Sequence, residues 1–151
     1  MTIGEVRQEY VWERKAFPDL EIGLDFRMAE QWVRILRIEL GLTRHPISFA
    51  YHERRHDRLL GEVTTGESID LDGRWHRGAR VQLFAPHSLR TLGHEFTHAA
   101  RWLLHKKAGH SDGWREDLTR THEIIRKHRP RLHWCEFDRG YKEWMMSRMR
   151  I

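Results

Sequence analysis

Residues 93–114 carry the sequence GHEFTHAARWLLHKKAGHSDGW, and the predicted fold is arranged around them. The first part contains an H-E-x-x-H pattern, His94-Glu95-x-x-His98, within a predicted amphipathic helix from Ser88 to His105. Because four residues span about one helical turn, His94 and His98 share a helix face, where two imidazoles can bind one metal ion at about 2.0–2.1 Å. Glu95 lies about 100° further round the helix, within reach of a water on the open side of that metal.

The apolar residues of this helix form one stripe, which predicts the side that faces the core. Counting about 100° per residue places five side chains on that stripe: Leu89, Leu92, Phe96, Ala99 and Leu103. His94 and His98 point away from it. The chain has 12 histidines in 151 residues, so chance can produce the pattern and the surrounding residues must support a metal site.

A third ligand is expected after the helix. His105 shares the face of His94 and His98, but it lies about 10.5 Å along the axis from His98, too far to bind the same ion. His110 follows Gly109, a residue that can adopt a left-handed conformation, end the helix and turn the chain back.

A second helix is predicted directly after His110. Ser111 or Asp112 is its expected N-cap, and its expected inward stripe consists of Trp114, Leu118, Thr121 and Ile125. His110 then lies at the junction of two packed helices, from which it can reach the metal.

At these residues the chain resembles the SprT-like (Spartan-type) zinc metallopeptidases. The family motifs are H-E-x-x-H-A and, after a spacer, G-H-G-x-x-[FW], whose histidine is the third zinc ligand. The matching residues are His94-Glu95-x-x-His98-Ala99 and Gly109-His110 with Trp114 four positions after that histidine. Ser111 stands where the family usually has glycine, and the spacer of twelve positions from His98 to His110 is short. The resemblance covers about residues 28 to 127.

The resemblance implies a zinc-dependent endopeptidase. His94, His98 and His110 would hold Zn²⁺ with a fourth position open for water, and Glu95 would be the general base. It also implies a minimal zincin-like α+β domain. Association with DNA is a further implication, since Spartan-type proteases act on proteins attached to DNA.

Other zinc-peptidase patterns give alternative third ligands. A metzincin would need a histidine where this chain has Leu104, which excludes that class. A gluzincin would need a downstream helical glutamate, and Glu116 or Glu123 could serve, as could the neighbouring His122. His110 is preferred because a glycine precedes it and a tryptophan follows at the expected distance.

Composition and charge indicate a basic globular protein. Hydrophobic residues make up 39% and charged residues 32% of the chain, whose length is enough for a core of its own. No apolar run reaches the length of a membrane helix, and residues 1–15 lack the apolar region of a signal peptide, so we expect a cytoplasmic protein with no membrane partner. The single cysteine, Cys135, excludes an internal disulfide and a cysteine-based zinc site.

Two functions fit these features. A net charge of +5 and a pI near 9.8 favour anionic partners such as nucleic acid, although the basic residues are interleaved with acids as on an ordinary solvated surface. The first function is an endopeptidase acting on protein or peptide substrates. The alternative is a small basic DNA-associated protein with a structural or vestigial zinc site. Glu95 favours the enzyme, because a structural site needs no carboxylate beside its first ligand.

The residues before the metal helix predict the rest of an α+β fold. Residues 1–24 are expected to form an N-terminal arm or short helix, and residues 25–151 a single domain. Helical spacing predicts a helix from Asp25, its cap, to Gly41, its stop. Alternating apolar residues then predict a small mixed or antiparallel sheet of three or four strands, with candidates at Ile47–Tyr51, Leu59–Thr65 and Val81–Ala85 and a hairpin or irregular loop over 66–78.

Four further expectations concern the site and the C-terminal part. Residues 81–85 are expected at the sheet edge beside the metal helix, where a strand could pair with an extended peptide. The helix after His110 is expected to end at His128-Arg129-Pro130, and a terminal helix is predicted from the spacing of Tyr141, Trp144 and Met145. Candidates for stabilising an oxyanion are Arg101, His105 and Tyr141.

Overall fold

The computed structural model describes residues 3–69 and 71–134. Within these residues the elements are helices α1 (Ile3–Ala16) and α2 (Phe26–Glu39), strands β1 (Ile47–Arg55), β2 (Gly61–Ile69) and β3 (Trp75–Ala85), and helices α3 (Leu89–His105) and α4 (Trp114–Trp134). A short 3-10 turn, Pro18–Leu20, follows α1. The α+β class predicted from the sequence is confirmed. In this part of the chain no helix has both the length and the apolar character needed to cross a membrane.

Helix α2 follows the sequence expectation closely. The side chain of Asp25 caps its first turn by accepting a hydrogen bond of 2.8 Å from the backbone N–H of Met28. Gly41, at φ +72, turns the chain away just after the helix ends. The buried face of α2 packs into the core with Ala29, Trp32, Ile35 and Leu36.

The sheet is mixed and three-stranded, with the order β1-β3-β2. Strand β1 runs parallel to β3, whereas β2 and β3 form an antiparallel hairpin whose turn contains Gly73 at φ +79. Val81 of β3 has a partner on each side, Phe49 in β1 and Val63 in β2.

The prediction that residues 81–85 form an edge strand is therefore wrong. Strand β3 is central, and in the described part of the chain β1 and β2 lie at the two edges. The period of two along a strand reports which face is buried, but it says nothing about the lateral order of strands. The strands are also longer than predicted, since the β2–β3 pairing continues through polar residues as far as Ile69 and Trp75.

Helix α3 packs against strands β2 and β3 of the sheet. Ser88 caps it by accepting a hydrogen bond of 3.1 Å from the N–H of Thr91. The predicted apolar stripe is buried: Leu89, Leu92, Phe96, Ala99 and Leu103. The helix ends at His105 with Lys106 in the left-handed conformation, so Lys106 and not Gly109 ends it, and Gly109 at φ +69 bends the following loop.

Helix α4 packs against α3 through the stripe that the sequence predicts, since Trp114, Leu118, Thr121 and Ile125 are all buried. The expected end of this helix near Pro130 is wrong, because α4 continues to Trp134. Two arginines hold the turns before Pro130 to Asp19: Arg126 and Arg129. The predicted terminal helix around Tyr141, Trp144 and Met145 lies outside the described residues.

The N-terminal residues contribute to the core. Phe17, Leu20 and Leu24 are buried in the main apolar cluster, and α1 carries Glu13 into the interior. The division of the chain into residues 1–24 and 25–151 stays a prediction.

Gly93 sets the distance between α3 and α4. A Cβ atom at this position would lie 2.8 Å from both Cε1 of His122 and Cδ1 of Ile125. The absence of a side chain therefore lets the two helices approach closely beside His94.

We expect Gly93→Ala to lower the free energy of unfolding by about 1–3 kcal/mol, because overpacking outweighs the gain in helix propensity of about 1 kcal/mol. Urea unfolding would measure this change. Gly4→Ala, at an exposed position of α1, is the control and should be neutral or slightly stabilising. An unchanged or higher stability of Gly93→Ala would contradict the close packing.

Candidate metal centre

Three imidazoles converge where α3 meets the loop that follows it. His94 and His98 lie one turn apart on α3, and the loop brings in His110. Nε2 of His110 lies 3.3 Å from Nε2 of His94 and 3.0 Å from Nε2 of His98. Of the described residues, these three form a group whose possible ligand atoms all lie within 4.8 Å of one another.

The spacing of these nitrogens fits a bound metal ion. Tetrahedral coordination at about 2.0–2.1 Å separates neighbouring ligand atoms by about 3.3–3.4 Å, close to the observed 3.0 and 3.3 Å. Imidazole nitrogens suit zinc and also copper, iron and nickel. The three histidines could therefore hold a metal ion, and the nature of the donors does not identify which one.

Burial favours the neutral form of two of the three histidines, His98 and His110. It lowers the pKa of His98 to about 2 and that of His110 to about 4, and the neighbouring His94 acts in the same direction. Metal binding requires the unprotonated imidazole. At neutral pH His98 and His110 are thus in the form that binds a metal.

Trp114 forms one wall of the centre. Its ring is stacked on His98 with centroids 4.3 Å apart, and it also contacts His94 and His110 at 5.0 and 4.5 Å. The aromatic residue expected four positions after His110 therefore packs against all three imidazoles.

Tyr10 of α1 contacts two of the three histidines and also lines the cleft beside them. Its ring is stacked on His94 with centroids 5.0 Å apart and approaches His110 edge-on at 5.7 Å. Burial and the negative charges of Glu95 and Glu13 raise the pKa of Tyr10 to about 12, so its hydroxyl stays protonated.

Arg101 holds the loop that carries His110. Its buried guanidinium donates to Asp117 Oδ2 at 2.6 Å, to Ser111 Oγ at 3.2 Å and to the Asp112 carbonyl at 3.0 Å. Ser111 and Asp112, expected to cap α4, thus supply acceptors to Arg101, and α4 begins two residues later at Trp114.

The residues expected to stabilise an oxyanion can be compared with these contacts. Arg101 is engaged in the loop, and the exposed His105 does not line the cleft beside the three histidines. Tyr141 lies outside the described residues.

The alternative third ligands lie elsewhere. His122 is fully buried and donates through Nε2 to Glu13 at 2.8 Å. Glu123 pairs with Arg126, and Glu116 is exposed in the first turn of α4. The described metal-binding group contains His110 and none of these three.

Glu13 is, with Tyr10, a residue at the site that the sequence analysis missed. Its Oε1 lies 2.9 Å from Nδ1 of His94, and its Oε2 accepts from His122. Burial alone would raise the pKa of Glu13, but the hydrogen bonds from His122 and His94 outweigh it and hold the pKa at about 2. The helical spacing of Tyr10, Glu13 and Phe17 could have indicated that these side chains share a helix face, but not that Glu13 contacts His94.

Glu95 borders a cleft of about 440 Å³ together with His98 and His110. Its carboxylate is buried, and this burial raises its pKa to about 7, with the charges of Glu13 and Glu62 adding to the rise and His94 opposing it. A group that titrates near neutrality can both accept and release a proton.

Strand β2 lines the same cleft through Gly61, Val63 and Thr65, which alternate along one face. A Cβ atom on Gly61 would lie 2.6 Å from Cγ of Glu95. Glycine at this position is what allows the edge strand to approach the carboxylate.

Comparisons with known proteins give no relative: no family model matches the chain, and no curated protein or solved structure matches it. The fold and the site thus define a class by geometry, an α+β domain with a three-histidine group able to hold a metal ion beside an open cleft.

We expect alanine at His94, His98 or His110 to lower zinc affinity by more than about 100-fold, beyond the effect typical of outer-shell partners. Chelator competition and elemental analysis after zinc loading would measure the loss. His105→Ala, on the same helix but away from the group, is the matched control and should bind zinc normally. If His110→Ala binds zinc as the wild type does, the third ligand must be another residue.

Proposed function

We propose that this chain is a zinc-dependent endopeptidase of the SprT-like type. The observation that carries the proposal is the position of Glu95, a buried carboxylate directly after the first histidine of the group, which borders the same cleft as His98 and His110. A structural zinc site needs no such carboxylate, whereas water activation does.

His94, His98 and His110 would hold the ion through their Nε2 atoms. Bound zinc would polarise the peptide carbonyl and lower the pKa of water at the site. Three protein ligands are the number typical of catalytic zinc, since structural zinc sites are usually closed by four.

Glu95 handles the proton. As carboxylate it accepts the proton of the attacking water, and as carboxylic acid it delivers that proton to the leaving amine. A pKa of about 7 suits both steps, because neither protonation state is strongly favoured near neutral pH. The close approach of Gly61 holds this side chain at the cleft wall.

Strand β2 is the proposed docking edge for the substrate. It lies at the edge of the described sheet, and Gly61, Val63 and Thr65 face the cleft. An extended peptide could pair with its free backbone groups and pass beside Glu95. Strand addition, expected from the sequence for residues 81–85, is thus proposed for β2.

Protein substrates near DNA are part of the same proposal. It is supported by the net charge of +5 and by the resemblance to Spartan-type proteases. Each hydrolysis assay is therefore designed with and without added DNA.

We expect Glu95→Gln to reduce hydrolysis of an unfolded protein substrate by about 10²- to 10⁴-fold, the usual contribution of a general base. Zinc content should stay at the wild-type level, because the three histidines are unchanged. Product formation measured by gel and mass spectrometry, beside elemental analysis, would test both statements.

Two results would contradict the proposal. Wild-type hydrolysis by Glu95→Gln would remove the general-base role. Bound zinc without hydrolysis by the wild-type protein, in the presence or absence of DNA, would support the alternative of a DNA-associated protein with a structural or vestigial site.

We expect Gly61→Ala to reduce hydrolysis by roughly 100-fold, since displacement of a catalytic group by about 1 Å has effects of this size. Zinc affinity should be retained because the new Cβ would contact Glu95, which is not one of the three proposed ligands. Gly66→Ala is the matched control on the same strand, where an added Cβ has no atom within 4 Å. Equal activities of the two variants would show that Glu95 is not held by β2.

A further inference from the structure

Three helices meet at the carboxylate of Glu13. This side chain enters from α1, contacts Nδ1 of His94 in α3 at 2.9 Å and contacts Nε2 of His122 in α4 at 2.8 Å. The three residues are 4%, 3% and 0% exposed. Each carboxylate oxygen therefore has one buried imidazole as its partner.

The contact with Glu13 determines which nitrogen of His94 carries the proton. An ionised carboxylate only accepts hydrogen bonds, so Nδ1 of His94 must donate. In a neutral imidazole the lone pair is then on Nε2, the atom that lies 3.3 Å from Nε2 of His110. Glu13 thus selects the tautomer of His94 that can bind a metal together with the other two histidines.

His122 in turn fixes the carboxylate. Its ring contacts Phe17 with centroids 4.5 Å apart, and it lies so close to Gly93 that a Cβ atom there would be 2.8 Å from its Cε1. Because Phe17 and Gly93 both pack closely against His122, Oε2 of Glu13 has a rigid donor. Rotation of the carboxylate away from His94 would break that hydrogen bond.

We propose that Glu13 is a positioning residue of the metal centre, acting through His94 and anchored by His122. Helix α1 is then part of the metal site and not an appendage to it. This inference rests on the proposed metal centre, but it does not depend on whether the centre hydrolyses peptides.

A purely structural role would have a different signature. Helix α1 is also joined to α4 by a surface ion pair in which the Arg115 guanidinium donates to both carboxylate oxygens of Glu9, at 3.0 and 3.2 Å. Glu9 lies one turn from Glu13 on the same helix; its hydrogen bonds go to Arg115, and it reaches the three histidines only through the effect of its charge on His110. Glu9→Gln therefore perturbs the docking of α1 without touching His94, and it is the matched control.

The experiment compares zinc affinity, by chelator competition, in the wild type, Glu13→Gln and Glu9→Gln. We expect Glu13→Gln to bind zinc about 10- to 100-fold more weakly, the range for lost outer-shell partners, and Glu9→Gln to stay within about twofold of the wild type. The absorption spectrum of the Co²⁺-loaded proteins should change in Glu13→Gln alone, because it reports the geometry of the ligands. Glu13→Asp, which keeps the charge on a shorter side chain, should recover part of the affinity.

Zinc affinity of Glu13→Gln within twofold of the wild type would overturn the proposal, as would equal losses in Glu13→Gln and Glu9→Gln. If Glu13→Gln does not fold, His122→Gln replaces it: a several-fold weaker affinity supports the anchor, and an unchanged affinity overturns it. Zinc binding without hydrolysis in the wild type would reject the peptidase and leave this inference standing. If the wild type hydrolyses the substrate and Glu13→Gln leaves zinc affinity unchanged, the peptidase proposal stands and this inference is rejected.

Discussion

The buried carboxylate of Glu13 is the constraint on which the centre of this structure depends. A charge removed from water is strongly destabilising unless it is paired and hydrogen-bonded. Glu13 has two partners, His94 and His122, and each comes from a different helix. Displacement of α1, α3 or α4 would leave a buried polar group without its partner. The arrangement of the three helices and the orientation of the first metal-site histidine are therefore coupled.

Two glycines allow neighbouring elements to pack closely against α3. Gly93 brings His122 against the helix, and Gly61 brings the edge strand against Glu95. The two contacts flank adjacent parts of the H-E-x-x-H segment. A side chain at Gly61 would displace Glu95 directly. A side chain at Gly93 would displace His122 or Ile125, and it would affect His94 only through the contact of His122 with Glu13.

The sequence predicted what depends on local spacing. Helix α3, its buried stripe and the convergence of His110 with His94 and His98 follow from helical periodicity and from a loop short enough to turn back. It did not predict Glu13, which is 81 residues from His94, because no periodic pattern reports such a distant contact. The central position of β3 was missed for a related reason, since lateral strand order depends on pairing between distant segments.

The surroundings of the three histidines are asymmetric, and this asymmetry supports the proposal of a catalytic site over the alternative of a structural one. Trp114 packs against all three rings, whereas Tyr10 contacts His94 and His110 and lines the cleft together with Glu95. The side that borders the cleft is the one on which Glu95 lies. A structural site gains from closure on every side, because each additional ligand adds folding free energy. A three-histidine group that borders a cleft beside a carboxylate with a pKa of about 7 instead fits the proposed entry of water and a substrate.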